Sequence, residues 1–321
     1  MLLLQTKFGL NKFYSERKGE IMIFKSIDEV IQSVKANSDK RRIVVAGAGE
    51  EHTLEAVCRA KREGLVTAIL TGDKERITTI LISLEEDPSE YEIIDSVDNP
   101  VDAAVSIVRE EKADILMKGN VQTAVLVKSV LNKDLGIMKG RLLSHVLFIQ
   151  SPAYHKVFLV TDSAIVSNPD LAQKKAILEN AVNAMNSLGY EKPKVAALTA
   201  VEEVNPKMQE TVDAAELKKL CESGEIKNCI IEGPISTDLA FDKEAAKIKG
   251  FTSPVAGEPD ILLMPNLLTG NIAVKMIRVF GESTVAGLVL GAKVPIVLTS
   301  RSTSAKSKFM SIALSVAIAN N

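Results

Sequence analysis

Short apolar runs rich in β-branched residues alternate with stretches of helical apolar spacing between residues 42 and 131, and this alternation limits the chain to an α/β fold. The run 42–47 ends on glycine, and helical spacing follows over 50–62. A second run, 65–71, is closed by Gly72 and Asp73, and a helix is predicted over 74–84. A short strand at 91–94, a helix at 100–111, a strand at 113–119 and a helix at 123–131 continue the series. Runs that are apolar throughout, rather than alternating with polar residues, suit strands covered on both faces of a parallel sheet.

The middle third has a different texture. The runs 142–149 and 156–161 are separated by Ser151 and Pro152, a spacing compatible with antiparallel pairing. A helix is expected over 171–188, with Gly189 behind it. Runs at 195–199, 230–234 and 261–265 then open a second alternating unit, and an apolar helix is expected over 272–280. The reading is two α/β domains with a cleft between them. Residues 1–140 and 293–321 form the first domain and residues 141–292 the second, with 136–140 as a hinge. A more regular pattern begins at Met22, so residues 1–21 are set apart as an extension of the first domain.

Bulk properties exclude several functions. The 321 residues are 46% hydrophobic and carry a formal net charge of −2, which leaves no electrostatic footprint for nucleic acid. Aromatic residues make up 4% and tryptophan is absent, so a base-stacking surface is not expected. No apolar run reaches the roughly 18 residues of a membrane span, and the apolar start at Met1 is too short for a signal peptide. Cys58, Cys221 and Cys229 lack metal-ligand spacing and read as reduced thiols of a cytoplasmic protein. His52, His145 and His155 have no partner at metal spacing either, so no metal site is expected.

The segment with most chemical content is the last one. The strand ending at Thr299 runs into Ser300, Arg301, Ser302, Thr303 and Ser304, and a long apolar-periodic helix follows. A planar guanidinium, several hydroxyls and the unpaired N–H groups of a helix start converge there, which favours a phosphate or a developing oxyanion. Two further strand-to-helix turns fit the usual place of ligands in open α/β sheets. One is the stretch 117–123 with Lys118, Gly119, Asn120 and Thr123, which reads equally as a tight turn with an N-cap; Lys128, a turn later, is either a cleft cation or a solvated helix residue. The other holds Asn266, Thr269, Gly270 and Asn271, which either cap a helix or form an anion-facing nest. Gly47 and Gly49 follow a strand, but Glu50, Glu51 and His52 stand where a dinucleotide fingerprint wants small neutral residues. A plain turn is the better reading there.

Taken together, these segments resemble the phosphate acetyltransferase/phosphate butyryltransferase family. The resemblance is carried by 233–238, 255–257, Pro265, Asn266, Thr269, Gly270, Asn271, Lys275 and 299–302, in the family's order and spacing. The segments 117–119, 143–145 and 204–208 point to the butyryl branch. The resemblance implies two isocitrate-dehydrogenase-like α/β domains and transfer of a short acyl group between coenzyme A and inorganic phosphate without a covalent acyl-enzyme. Coenzyme A is then a co-substrate, no cofactor is resident, and a homo-oligomer is the expected assembly. Ser300 is matched to the group that meets the coenzyme A sulfur, and Arg301 to the one that stabilises the tetrahedral transition state. Arg109, Lys118, Lys128, Ser163, Thr269, Gly270, Asn271 and Thr303 are the expected contacts to phosphate and coenzyme A. The acetyl branch has an aspartate, the proposed thiol base, where this chain has Ser307. The proton then leaves through Asp238, His145 or phosphate, or the thiolate is stabilised alone. The alternatives are a phosphate acetyltransferase and an inactive homologue that binds coenzyme A or an anion.

Overall fold

The computed structural model describes residues 24–37, 39–140, 142–300 and 303–319. The chain divides into two compact units, one holding residues 27–141 and 286 onwards, the other 24–26 and 142–285. Residues 1–21, read above as an extension, lie outside the described residues.

The first unit opens on α1 (Ile27–Asn37) and then alternates through β1 (Arg41–Ala46), α2 (Glu51–Arg62), β2 (Val66–Gly72), α3 (Lys74–Ser83), β3 (Glu92–Asp95), α4 (Pro100–Arg109), β4 (Ile115–Lys118) and α5 (Thr123–Val130). β1 lies between β2 and β4 with all three parallel, and β3 pairs with the outer side of β2. Ile43, Val44, Val45, Ile115, Leu116 and Met117 are buried, which is why these strands read as continuous apolar runs.

The second unit contains β5 (Ser144–Gln150), β6 (Phe158–Thr161), α6 (Leu171–Ser187), β7 (Lys194–Leu198), α7 (Gln209–Glu222), β8 (Ile230–Ile235), α8 (Thr237–Phe241), α9 (Lys243–Ile248), β9 (Ile261–Leu263) and α10 (Leu267–Phe280). Its strands follow the order β5-β6-β9-β7-β8. β5 and β6 are antiparallel, as their spacing predicts, and β6, β9, β7 and β8 run parallel. Three of the few aromatic rings gather here: Phe158 meets Tyr154 and Phe241 edge-on, at 5.6 and 5.4 Å between centroids.

The chain returns to the first unit with β10 (Thr284–Leu290), β11 (Ile296–Val297) and α11 (Ala305–Ile318). β11 lies parallel beside β4, and β10 runs antiparallel to β11. Every residue of α11 from Lys308 to Ala317 is buried, so this helix is core on all sides. It packs on α1 and α2, with the Arg59 guanidinium 3.9 Å above the Phe309 ring. Burying each of Phe309, Ile312, Leu314 and Val316 stabilises the unit by about 1.5–3 kcal/mol.

Two differences from expectation bear on the elements around the site. β10 has no clear local signal, because Gly287 interrupts its apolar run. Helix α10 starts at Leu267 rather than at 272, since Asn266 caps it by accepting the Thr269 N–H at 3.0 Å. Thr269, Gly270 and Asn271 therefore lie inside the first turns of the helix rather than ahead of it.

Candidate active site

In the first unit, the strands after β1 are laid down on one side of it and β4 on the other. Ligands of open α/β sheets bind beyond the carboxyl ends of strands at such a switch point. Here the turns that follow β1 and β4 approach each other through backbone atoms. The Gly119 N–H donates to the Ala46 carbonyl at 2.9 Å and the Asn120 N–H to the Gly47 carbonyl at 2.7 Å. A Cβ on Gly119 would stand 2.1 Å from the Gly47 oxygen, so only glycine permits this approach. The neighbouring start of α2 is also taken. The Glu50 carboxylate accepts from the His52 and Thr53 N–H groups at 3.2 and 3.0 Å and from Lys308 Nζ at 3.1 Å. Burial pushes that carboxyl up, but Thr53 and Lys308 outweigh it and hold the group below the usual glutamate value. A phosphate would find the helix N-terminus already neutralised, in keeping with the plain-turn reading of Gly47 and Gly49.

The same sheet edge carries polar groups at β4 and β11. Lys118 is buried at the end of β4, with Nζ 3.3 Å from the Gly119 carbonyl. Beyond β11, Thr299 is buried, and its Oγ1 has no hydrogen-bond partner among the described residues. Ser300 is exposed, and its carbonyl accepts the Thr303 N–H at 3.1 Å. Ser304 caps α11 by accepting the Ser307 N–H at 3.3 Å. Lys118, Ser300 and Thr303 thus share one edge, whereas Arg301 lies outside the described residues. Lys128 sits exposed near the end of α5. Arg109 ends α4, ahead of β4, with its guanidinium bonded to the Leu135 carbonyl at 3.4 Å and to Ser106 Oγ at 3.0 Å. It belongs to the opposite edge of the sheet from Lys118.

In the second unit a tighter cluster forms where β6 ends. The Asp162 carboxylate accepts four backbone N–H groups: Ala164 at 2.7 Å, Ile165 at 3.0 Å, Val166 at 3.2 Å and His145 at 3.2 Å. These bonds fix the turn that carries Ser163. The buried Ser163 hydroxyl meets His145 Nδ1 at 3.0 Å, and its carbonyl accepts from Asn271 Nδ2 at 3.1 Å. Gly270 lets α10 press onto this turn, because a Cβ there would stand 2.5 Å from the Asp162 carbonyl. The structure therefore brings Ser163, Gly270 and Asn271 together. Thr269 is exposed and spends its hydroxyl on the Asn266 carbonyl at 2.9 Å. Asp162 and the His145–Ser163 contact were not legible in the sequence, which has no motif linking residues 18 apart.

The groups weighed as proton acceptors separate clearly. The Ser236 hydroxyl and Lys249 push the Asp238 carboxyl down to about 2, and Lys249 Nζ lies 3.0 Å away, so Asp238 is a weak base. Burial holds the His145 imidazole below its ordinary value, against the pull of Asp162, so it is neutral near pH 7. Burial pushes up the Cys58 thiol, and burial followed by Cys221 carries Cys229 up to about 12, which leaves neither activated. His52 and His155 are exposed, beside Glu55 and Glu258 respectively. No cluster of metal-binding side chains occurs among the described residues.

A lowered histidine value fixes the sign of a pH effect. The unfolded chain binds a proton at His145 below about pH 6.5 while the folded chain still does not. Stability from this group is therefore complete above that pH and declines below it, by up to about 1.4 kcal/mol per pH unit. Denaturant midpoints from pH 7.5 to 5 are expected to fall more steeply for the wild type than for His145→Asn. Parallel curves would show that the imidazole does not titrate in this window.

The chain matches the family model described as phosphate acetyl/butaryl transferase over residues 25–103 and 95–316. It is 40% identical to the phosphate butyryltransferase of Clostridium acetobutylicum over 93% of this chain and 100% of that one. The phosphate acetyltransferase of Thermotoga maritima is 39% identical over 88% of this chain and 97% of its own. Among solved structures, a branched-chain phosphotransacylase from Enterococcus faecalis V583 superposes with a TM-score of 0.77 at 33% identity, covering 87% of this chain and 99% of that one.

Proposed function

Since the chain belongs to the phosphate acetyl/butyryl transferase family, we propose that it is an enzyme moving a short acyl group, butyryl by preference, between coenzyme A and inorganic phosphate. The observation that carries this reading is the match to phosphate butyryltransferase over 93% of this chain and 100% of that one, and candidate site residues lie at the carboxyl ends of β4, β6 and β11. The reaction is acyl-CoA + phosphate = acyl phosphate + CoA, by direct transfer in a ternary complex. Coenzyme A serves as co-substrate, with no resident cofactor. The finer architecture of two isocitrate-dehydrogenase-like domains about a cleft, and a cytoplasmic location, are part of the same proposal. No helix among the described residues is long and apolar enough to cross a membrane.

Attack on the thioester or acyl phosphate creates an oxyanion, so the site must supply fixed positive charge and donors. Arg301 is assigned the oxyanion and Ser300 the coenzyme A sulfur. Lys118 and Thr303, on the edge that carries Ser300, are assigned anionic oxygens. Ser163, Thr269, Gly270, Asn271 and Lys128 are proposed substrate contacts. Arg109 is the least favoured of the proposed phosphate ligands, because β4 alone separates it from Lys118 by roughly 10 Å or more. Holding both substrates together removes much of the entropic barrier, and exclusion of water protects the acyl phosphate.

The test is phosphate-dependent release of free thiol from acetyl-, propionyl-, butyryl- and isobutyryl-CoA. Butyryl-CoA is expected to give the highest kcat/KM. A preference for acetyl-CoA would favour the acetyltransferase reading, and thiol release with none of them would leave a binding protein.

A homo-oligomer belongs to this proposal. Along α10, Leu268, Ile272, Met276, Val279 and Phe280 are each between 50 and 79% exposed on a helical stripe, an unusual apolar surface for a monomer. Met276→Glu combined with Phe280→Glu is expected to reduce the sedimentation mass to that of one chain. An unchanged mass would remove α10 from the interface.

A further inference from the structure

The butyryl-type reaction needs a proton acceptor for the coenzyme A thiol, an alkyl thiol no more acidic than a cysteine side chain, at about 8.5, and so mostly protonated at pH 7. The position matched to an aspartate in the acetyl branch is Ser307, whose N–H and hydroxyl are engaged with Ser304 in capping α11. Asp238 is ion-paired and held near 2, so it ionises readily but takes up a proton poorly. What the second unit offers instead is a hydroxyl backed by a neutral imidazole: Ser163 Oγ lies 3.0 Å from His145 Nδ1.

We propose that Ser163 and His145 form a proton relay for the thiol, with Ser163 touching the sulfur and His145 acting through it. This rests on the reading above that Ser163 contacts the substrate. In the acyl-CoA-forming direction, Ser163 Oγ accepts the thiol proton while its own proton passes to His145 Nδ1. The thiolate sulfur then bonds to the acyl carbon and the carbon–oxygen bond to phosphate breaks. The imidazolium returns its proton through Ser163 to the departing phosphate, which leaves as hydrogen phosphate. No oxidant or further reactant is needed, and both side chains end as they began.

Four features of the cluster suit the role. The relay requires Nδ1 to be unprotonated, and burial favours the neutral ring. The imidazolium formed in passing is supported by Asp162, the charged group that acts on His145. Among the described residues, the other hydrogen bonds at this end of β5 are to uncharged groups: Thr161 Oγ1 donates to the His145 carbonyl at 2.9 Å, and Asn180 of α6 donates to Ser144 Oγ at 2.9 Å. The geometry is also locked from both sides. The Asp162 carboxylate accepts the His145 N–H and the N–H groups following Ser163, so strand and turn cannot shift independently.

The experiment follows acyl-CoA formation from butyryl phosphate and coenzyme A as a function of pH. His145→Asn keeps an acceptor near the place of Nδ1 but cannot take a proton. It is expected to lower kcat about 10²-fold at pH 7 with little change in KM, and the deficit should shrink by up to about tenfold per pH unit as alkaline solution supplies thiolate. Ser163→Ala is expected to show the same pH-rescued loss, and it serves if the histidine variant proves unfolded by circular dichroism. A deficit that does not change with pH in either folded variant, or near-normal turnover of Ser163→Ala at pH 7, would overturn the relay. If the wild type itself forms no acyl-CoA, the functional reading fails, whatever the variants do.

Discussion

Arg301→Ala is expected to lower turnover of butyryl-CoA with phosphate by at least about 10²-fold, the scale for losing one preorganised oxyanion donor. The argument is electrostatic. Acyl transfer concentrates charge on one oxygen at the transition state, and a guanidinium placed beforehand stabilises that charge without reorganising at the moment of reaction. Because α11 is buried from Lys308 onward, denaturant midpoints of the variant report on the fold and separate a loss of turnover from a loss of structure. KM should move less than kcat if the interaction is made chiefly in the transition state. Arg301→Lys keeps the charge but loses the planar fork of donors, so recovery should be partial. Near-normal turnover in folded Arg301→Ala would withdraw the assignment and move attention to Lys118, the buried cation on the Ser300 edge.

The pattern of legible and hidden features follows from what each one depends on. Strands β1, β2, β4 and β6 were legible because burial on both faces forces uninterrupted apolar runs, a local signal. β10 was not, because its Gly287 reads locally as a break. Its reason is tertiary: the Gly287 N–H donates to Ser311 Oγ of α11 at 3.0 Å. The start of α10 was hidden for a similar reason. Gly270 resembles a loop residue until the Asp162 carbonyl, far away in sequence, is seen to leave no room for a side chain. For the site, Lys118 and Ser300 were recoverable because strand ends followed by helices mark where ligands gather. The His145–Ser163 contact depends on the register of β5 against β6, in which Val146 faces Thr161. A loop of several residues joins those strands, so no tight turn fixed that register in the sequence.

Gly119→Ala should be the most damaging single-methyl change at the first unit's sheet edge, costing about 3 kcal/mol. The added Cβ would lie 2.1 Å from the Gly47 oxygen, 2.8 Å from the Gly47 carbon and 2.9 Å from the Ala46 oxygen. All three are backbone atoms of the β1 turn, so no rotamer change can relieve the clash. Relief requires β1 and β4 to part, which would break the bonds from the Gly119 and Asn120 N–H groups to Ala46 and Gly47. Gly224→Ala is the matching control. Its φ of +80° penalises a side chain, but nothing lies within 4 Å of the new atom, so the cost should be about 1 kcal/mol from backbone strain alone. Denaturant unfolding of both variants separates steric from conformational cost. Because Lys118 is held beside Gly119, the first variant should also lose activity beyond what its unfolded fraction explains, while the second should not. Equal destabilisation of the two would mean that the strand ends part easily, and that the close backbone approach does not hold the Lys118 edge in place.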